Sequence, residues 1–252
     1  LNGGNQNWWQ MKFKLEKKDG IEDFRSIMKI PEYRMWKLGC GVVAMTDMEL
    51  FLTQQNEGYK APLQDIAYDK ETGIISNDDY MKYAEYNRDN IYYLGGNYVN
   101  KLIGVLPGSM EAGLAYYLRT NNHLYTNVKW APYSEMFRYA KNQTALTIED
   151  MIDRNIPVVF SYHTFDKNEY LHLYQNIVSA KALNNEKHQQ AVSHYMTIVG
   201  YQKYIDETSM DYHYILKVVS LGDVYYVNYD EYAQKLSYVT NILSVGGRNA
   251  KS

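Results

Sequence analysis

The chain carries a single cysteine, Cys40, in the segment Lys37-Leu38-Gly39-Cys40-Gly41-Val42-Val43-Ala44. Two glycines flank the thiol. An apolar stripe follows, with Ala44, Met48, Phe51 and Leu52 at three- and four-residue spacing, widened by Val43 and Leu50. That pattern predicts a helix whose first residue is the cysteine. Backbone N–H groups and the positive end of the helix dipole converge at such a position, and both favour a thiolate over a thiol. The same N–H groups can hold the oxyanion of a tetrahedral intermediate. A lone cysteine is also, on its own, an ordinary small buried residue, so its surroundings decide.

The second segment able to do chemistry is Ser193-His194-Tyr195-Met196-Thr197-Ile198-Val199-Gly200-Tyr201, which places a histidine at the head of an alternating strand. The turn-like stretch Asp206 to Asp211 separates it from the strand pattern Tyr212 to Ser220. If the two strands pair with residue 201 near 213, His194 falls opposite residues near 220. Val219, Ser220 or Leu221 then stands beside the imidazole, where a third group would fix the ring. A histidine so oriented and a helix-start thiol suit nucleophilic acyl chemistry. The thiolate of an ion pair attacks an amide or thioester carbonyl, and the imidazolium protonates the leaving group.

Gly39-Cys40-Gly41 opening a helix, a late His-x-x-x-x-x-Gly-Tyr strand and a strand ending in Ser220-Leu221-Gly222 resemble the papain-like cysteine peptidases, in particular the bacterial C39 peptidases and their relatives. The likeness covers roughly residues 30–56 and 147–232, including the helix–Ile156-Pro157–strand element ahead of the histidine. It implies a papain-like α+β fold, with Cys40 as nucleophile, His194 as its base and Ser220 as the orienting residue. The substrate implied is a peptide or protein, with no cofactor and no metal. Three positions depart from the family pattern. Arg34 stands where a Gln usually donates to the oxyanion, six residues before the cysteine, and is the candidate to replace it. Val219 stands where papain has the ring-orienting Asn. The Asp that follows the histidine in C39 peptidases has no well-placed counterpart, since Asp211 falls in the turn and Asp223 lies beyond the site. These departures leave two alternatives to a peptidase: a catalytically weak papain-fold module that binds peptides, and an acyltransferase built on the same dyad.

The elements that must position this pair read as helices first and a mostly antiparallel sheet second, which is α+β rather than alternating α/β. Residues 1–20 read as a polar lead-in, Ile21 to Met28 as a short helix that Pro31 interrupts, and residues 59–76 as loop. Asn77-Asp78-Asp79 looks like a cap for a helix from Tyr80 to Leu94. A further helix is expected after Pro107-Gly108-Ser109, a strand over Tyr125–Trp130 and a helix over Ser134–Tyr139. Thr147 to Ile152 reads as a separate capped helix. Val158–Tyr162, Val224–Tyr229 and Ile242–Val245 read as strands by their β-branched and aromatic content. We read residues 1–252 as one domain, with residues 59–140 as a helical insertion.

Composition narrows the function classes further. Apolar residues at 46% of 252 supply a sizeable core, and a net charge of −3 with no long basic block offers nothing to a nucleic acid or an anionic membrane. No run of 18 apolar residues exists, so no membrane span is expected. The reading is of a soluble protein, cytoplasmic or secreted after removal of a signal peptide. The remaining histidines (His123, His163, His172, His188 and His213) show no metal-ligand spacing. Gly-x-Ser-x-Gly, P-loop and dinucleotide fingerprints are absent. Tyrosine is abundant, 27 residues against 6 Phe.

Overall fold

The computed structural model describes residues 3–16, 24–27, 29–55, 66–69, 71–91, 104–122, 127–130, 138–164, 170–183, 187–190, 193–233 and 238–246. The lead-in is more ordered than its polarity predicts. Helix α1 (Trp8–Glu16) buries Trp9 completely and Phe13 almost so, and the Trp9 indole Nε1 donates to Glu85 at 2.8 Å. After the short α2 (Phe24–Ile27), Pro31 starts a helix rather than interrupting one: it occupies the first turn of α3 (Pro31–Leu38). A proline is at no disadvantage there, because that N–H has no helical partner.

Gly39 separates α3 from α4 (Cys40–Gln55), which begins at the cysteine as the spacing predicts. Every residue from Gly41 to Leu50 is buried, so α4 is enclosed on all sides, as expected of a helix with no polar face. Its polar side chains find partners inside. Tyr80 hydroxyl donates to Asp47 Oδ1 at 2.7 Å, and Tyr83 hydroxyl to Glu49 Oε2 at 2.6 Å. Tyr117 hydroxyl lies 3.3 Å from Thr53 Oγ1. Tyr80 and Tyr83 belong to α5 (Asn77–Tyr86), whose cap is Ser76, one residue ahead of the expected Asn77–Asp79. The helix passes into a π-helical turn, Asn87–Ile91, and the rest of the expected helix to Leu94 lies outside the described residues. Ahead of α5, the stretch read as loop contains a two-residue hairpin, β1 (Tyr68–Asp69) with β2 (Ile74–Ile75). Tyr117 belongs to α6 (Pro107–Asn122), which follows the Pro-Gly-Ser signal.

Of the helix expected over Ser134–Tyr139, residues 134–137 lie outside the described residues; Arg138 and Tyr139 open α7 (Arg138–Asp153), which also takes in the Thr147–Ile152 segment expected as a separate helix. No Gly or Pro interrupts that stretch, so Thr147 lies inside the helix instead of capping it. Ala145, Ile148 and Met151 carry the apolar stripe into the core.

The remaining strands are β3 (Asn127–Trp130), β4 (Val158–Thr164), β5 (Leu171–Tyr174), β6 (Lys187–Gln190), β7 (Ser193–Ile205), β8 (Tyr212–Ser220), β9 (Asp223–Asn228) and β10 (Tyr238–Gly246), with the short helices α8 (Ile177–Ala182) and α9 (Asp230–Ala233) between them. Together these strands form one sheet in the order β3-β10-β4-β7-β8-β9-β5-β6, and every neighbouring pair is antiparallel. The architecture is thus α+β with an antiparallel sheet. The core has two main parts. Residues of α1, α3, α4, α5 and α6 pack with Val159 on one face of the sheet. Those of α7 pack with Phe160, Tyr162, Met196, Ile198, Leu216 and Val218 on the other.

Candidate active site

Strand β7 is the hub. Alternation along it sends Tyr195 and Thr197 toward α4 and Met196 and Ile198 toward α7. Thr197 Oγ1 donates to the Ala44 carbonyl of α4 at 2.7 Å, which ties the cysteine helix to the histidine strand. By the same alternation His194 lies on the Met196 side, paired across the sheet with Tyr162. The register with β8 has Thr197 opposite Val219 and Tyr201 opposite Leu216, with an irregularity between Ile198 and Gly200. It differs by a few residues from the pairing read off the sequence, yet Ser220 still reaches the ring. Its Oγ lies 2.7 Å from His194 Nε2.

Beyond Ser220 the chain reverses in two residues, Leu221 and Gly222, with φ of 56° and 81°. Both are left-handed, as a tight hairpin between right-twisted strands requires. This turn holds the N-terminal segment: Gly222 N–H donates to the Gly4 carbonyl at 2.9 Å. Gly4 N–H in turn donates to Asp47 Oδ1 at 2.8 Å. Residues 3–6 therefore run as a strap from α4 to the β8–β9 turn. The strap fits closely, since a Cβ on Gly4 would stand 2.1–2.3 Å from the Tyr80 ring.

Beneath the strap lies a crevice lined by Gln6 from the strap, Cys40, Val43, Ala44 and Asp47 from α4, His194, Tyr195 and Met196 from β7, and Val219, Ser220 and Leu221 from β8 and its turn. Its volume is about 10 Å³, room for one water molecule. Cys40, His194 and Ser220 all line this crevice, Cys40 from α4 on one face of the sheet and His194 on the Met196 side of β7, and the shifts of the thiol and of the imidazole each arise without a contribution from the other. Arg34 sits on α3 and is not among the lining residues; its Nε is buried without a hydrogen-bond partner. Gln6 lines the crevice instead.

The electrostatics differ from a preformed ion pair. Burial pushes the Cys40 thiol above its ordinary value, outweighing the backbone N–H groups of Tyr195, Gly41 and Cys40 itself, which pull the other way. Burial likewise pushes His194 down to about 4. At neutral pH the resting pair is therefore a thiol and a neutral imidazole, because desolvation of both charges exceeds what the helix start returns. Asp47 is almost fully buried, and burial raises its carboxyl to about 7 despite the bonds from Tyr80 and Gly4. Its Oδ2 has no hydrogen-bond partner, and neither has Gln6 Oε1.

Gln6 and Asp47 are the two lining residues that sequence reasoning missed. Asp47 lies seven residues after Cys40, on the helix face that also carries Val43 and Ala44. That spacing was the available signal. Gln6, 34 positions before the cysteine, gives none. Among the described residues no cluster of His, Cys, Asp and Glu is arranged to hold a metal ion, and no helix is long and apolar enough to cross a membrane. No protein-family model matches the chain. No curated protein matches it in sequence.

Proposed function

We propose that the protein is a papain-like thiol hydrolase acting on peptide bonds, with Cys40 as nucleophile, His194 as general base and then acid, and Ser220 as the residue that orients the ring. One observation carries the reading: Ser220 Oγ lies on His194 Nε2, at 2.7 Å, in the crevice that Cys40 also lines. With Nε2 engaged, Nδ1 is the ring atom left to take the thiol proton. Because the resting pair is neutral, that proton moves as sulfur attacks the substrate carbonyl rather than beforehand. Donors at the start of α4 receive the oxyanion, and His194 returns the proton to the leaving amine. Water, deprotonated by the same ring, then cleaves the thioester and restores the thiol.

A second reading, a papain-fold module that binds peptides without turning them over, is favoured by the same neutral pair and by a crevice that holds only one water. Intact-mass spectrometry separates the two. On incubation with a mixed peptide library or a peptide thioester, a hydrolase gains a transient acyl mass on Cys40. Cys40→Ala abolishes it, and His194→Gln suppresses its formation. If no acyl adduct forms and peptides are retained unchanged, the binding module is the function.

A further inference from the structure

Two residues that line one water-sized crevice, Asp47 on α4 and Gln6 on the strap, each carry a buried acceptor without a partner, Oδ2 and Oε1 respectively. An acceptor buried without a donor loses its hydration and gains nothing in return, which is costly. One proton resolves this. Asp47 Oδ1 already accepts from Gly4 N–H and Tyr80 hydroxyl, so a proton on the carboxyl belongs on Oδ2. From there it can be donated across the crevice.

We propose that Asp47 is a positioning residue of this site: in its neutral form it donates from Oδ2 to Gln6 Oε1, directly or through the one water the crevice can hold, and so fixes the Gln6 amide with its Nε2 hydrogens available to the group bound at Cys40. The inference rests on the thiol-hydrolase reading for its consequence, but the Asp47–Gln6 coupling itself does not. The raised carboxyl value, about 7, agrees with a neutral Asp47 below neutrality. The titratable groups around it are Tyr80 from α5, with Glu49 behind it, Cys40 on its own helix and His194 from β7. Among the described lining residues His194 is the sole base, and it is itself neutral above about pH 4. Burial outweighs both the hydrogen bonds and the positive charge that favour the Asp47 carboxylate, so its ionised form stays costly up to about neutrality. The carboxylate then draws the amide hydrogens of Gln6 to itself, which removes donors from the crevice that the thiol lines and adds a negative charge to it.

The test follows the Gln6 side-chain amide and the Asp47 carboxyl by NMR from pH 5 to 9, alongside the iodoacetamide alkylation rate of Cys40. In the wild type, both signals should move together with a midpoint near 7. In Asp47→Asn, whose amide nitrogen can replace the protonated Oδ2, the Gln6 signal should stay flat. At pH 8 this variant should be alkylated roughly tenfold faster than wild type, the effect of about one pKa unit at the thiol. At pH 6 the two rates should agree. A wild-type Gln6 signal indifferent to the Asp47 titration overturns the coupling, and wild-type NMR alone decides this if the variant does not fold. Coupled signals with equal alkylation rates at pH 8 overturn the positioning role and leave Asp47 structural. A Cys40 inert at every pH would sink the hydrolase reading, while the NMR titration still decides the coupling.

Discussion

At the scale of residues, the site is a contest between burial and polar partners. The helix start supplies N–H groups to Cys40, a residue that keeps part of its surface exposed, but desolvation of the thiol outweighs them. The thiolate inferred from position alone is therefore not the resting state. The placement of Cys40 at a helix start, of His194 near the head of a strand and of Ser220 beside its ring was legible because each carries a local sign: glycines around a thiol, a histidine heading a strand, a serine before a tight turn. The protonation balance was not, because it depends on depth, which no window of sequence records. The same holds for Asp47. A charged residue in a helical pattern normally marks a solvated face, whereas here the helix has no such face. Ser220 offers a direct check at this scale. Removing its hydroxyl in Ser220→Ala leaves His194 Nε2 buried without its partner, at a cost of about 1–3 kcal/mol in stability. Turnover should fall by roughly tenfold or less, since a neutral hydrogen bond is worth about 1 kcal/mol. Denaturant unfolding and steady-state assays read the two effects separately.

At the scale of elements, the sequence described strands better than helices. Strand β8 has the predicted bounds, Tyr212 to Ser220, because β-branched and aromatic residues mark it and a polar turn precedes it. The helices α1 and α7 were misread for opposite reasons. In α1 a polar composition hid Trp9, whose burial depends on α5 far along the chain. In α7 a threonine resembling a cap was overruled by an unbroken helical stretch that packs on the sheet. Part of the tyrosine abundance also finds its reason here. Tyr68, Tyr80, Tyr83 and Tyr117 direct their hydroxyls at polar groups of α4, so a fully enclosed helix keeps its hydrogen bonds. The strap is the element that closes the crevice. Gly4→Ala would drive a methyl group into the Tyr80 ring, displacing the strap at a cost of about 1–3 kcal/mol. We expect this variant to melt lower, yet to expose Cys40 to faster alkylation than wild type. A lower melting temperature with slower alkylation would mean that the strap does not cover the thiol.

At the scale of the whole molecule, two buried groups shape the response to pH. His194 has its value depressed to about 4 in the fold against an ordinary 6.5. Its contribution is complete above about 6.5 and is lost as pH falls toward 4. Asp47 has its value raised from 3.8 to about 7. Its contribution is present at low pH and is lost as pH rises through that interval. The two slopes oppose each other between about pH 4 and 6.5, each spanning of the order of 3–4 kcal/mol. Wild-type stability should therefore be nearly level there in urea titrations. Asp47→Asn should uncover the His194 slope alone, rising from pH 4 to 6.5 and flat above it. The α+β architecture with its antiparallel sheet was legible from the order of the elements. The sides from which the thiol and imidazole approach were not, because strand parity and a register irregularity in β7 decide them together. The central claim, that these two groups act on each other, is tested most directly by the rate of Cys40 alkylation in wild type and in His194→Gln at pH 7 to 8. Glutamine is close to histidine in size, can still bond Ser220 and cannot act as the base. We expect the variant to react at least tenfold more slowly, the lower end of what a positioned general base contributes being about a hundredfold. Equal rates in the two proteins would contradict the claim and make Cys40 an ordinary buried thiol at the start of a helix.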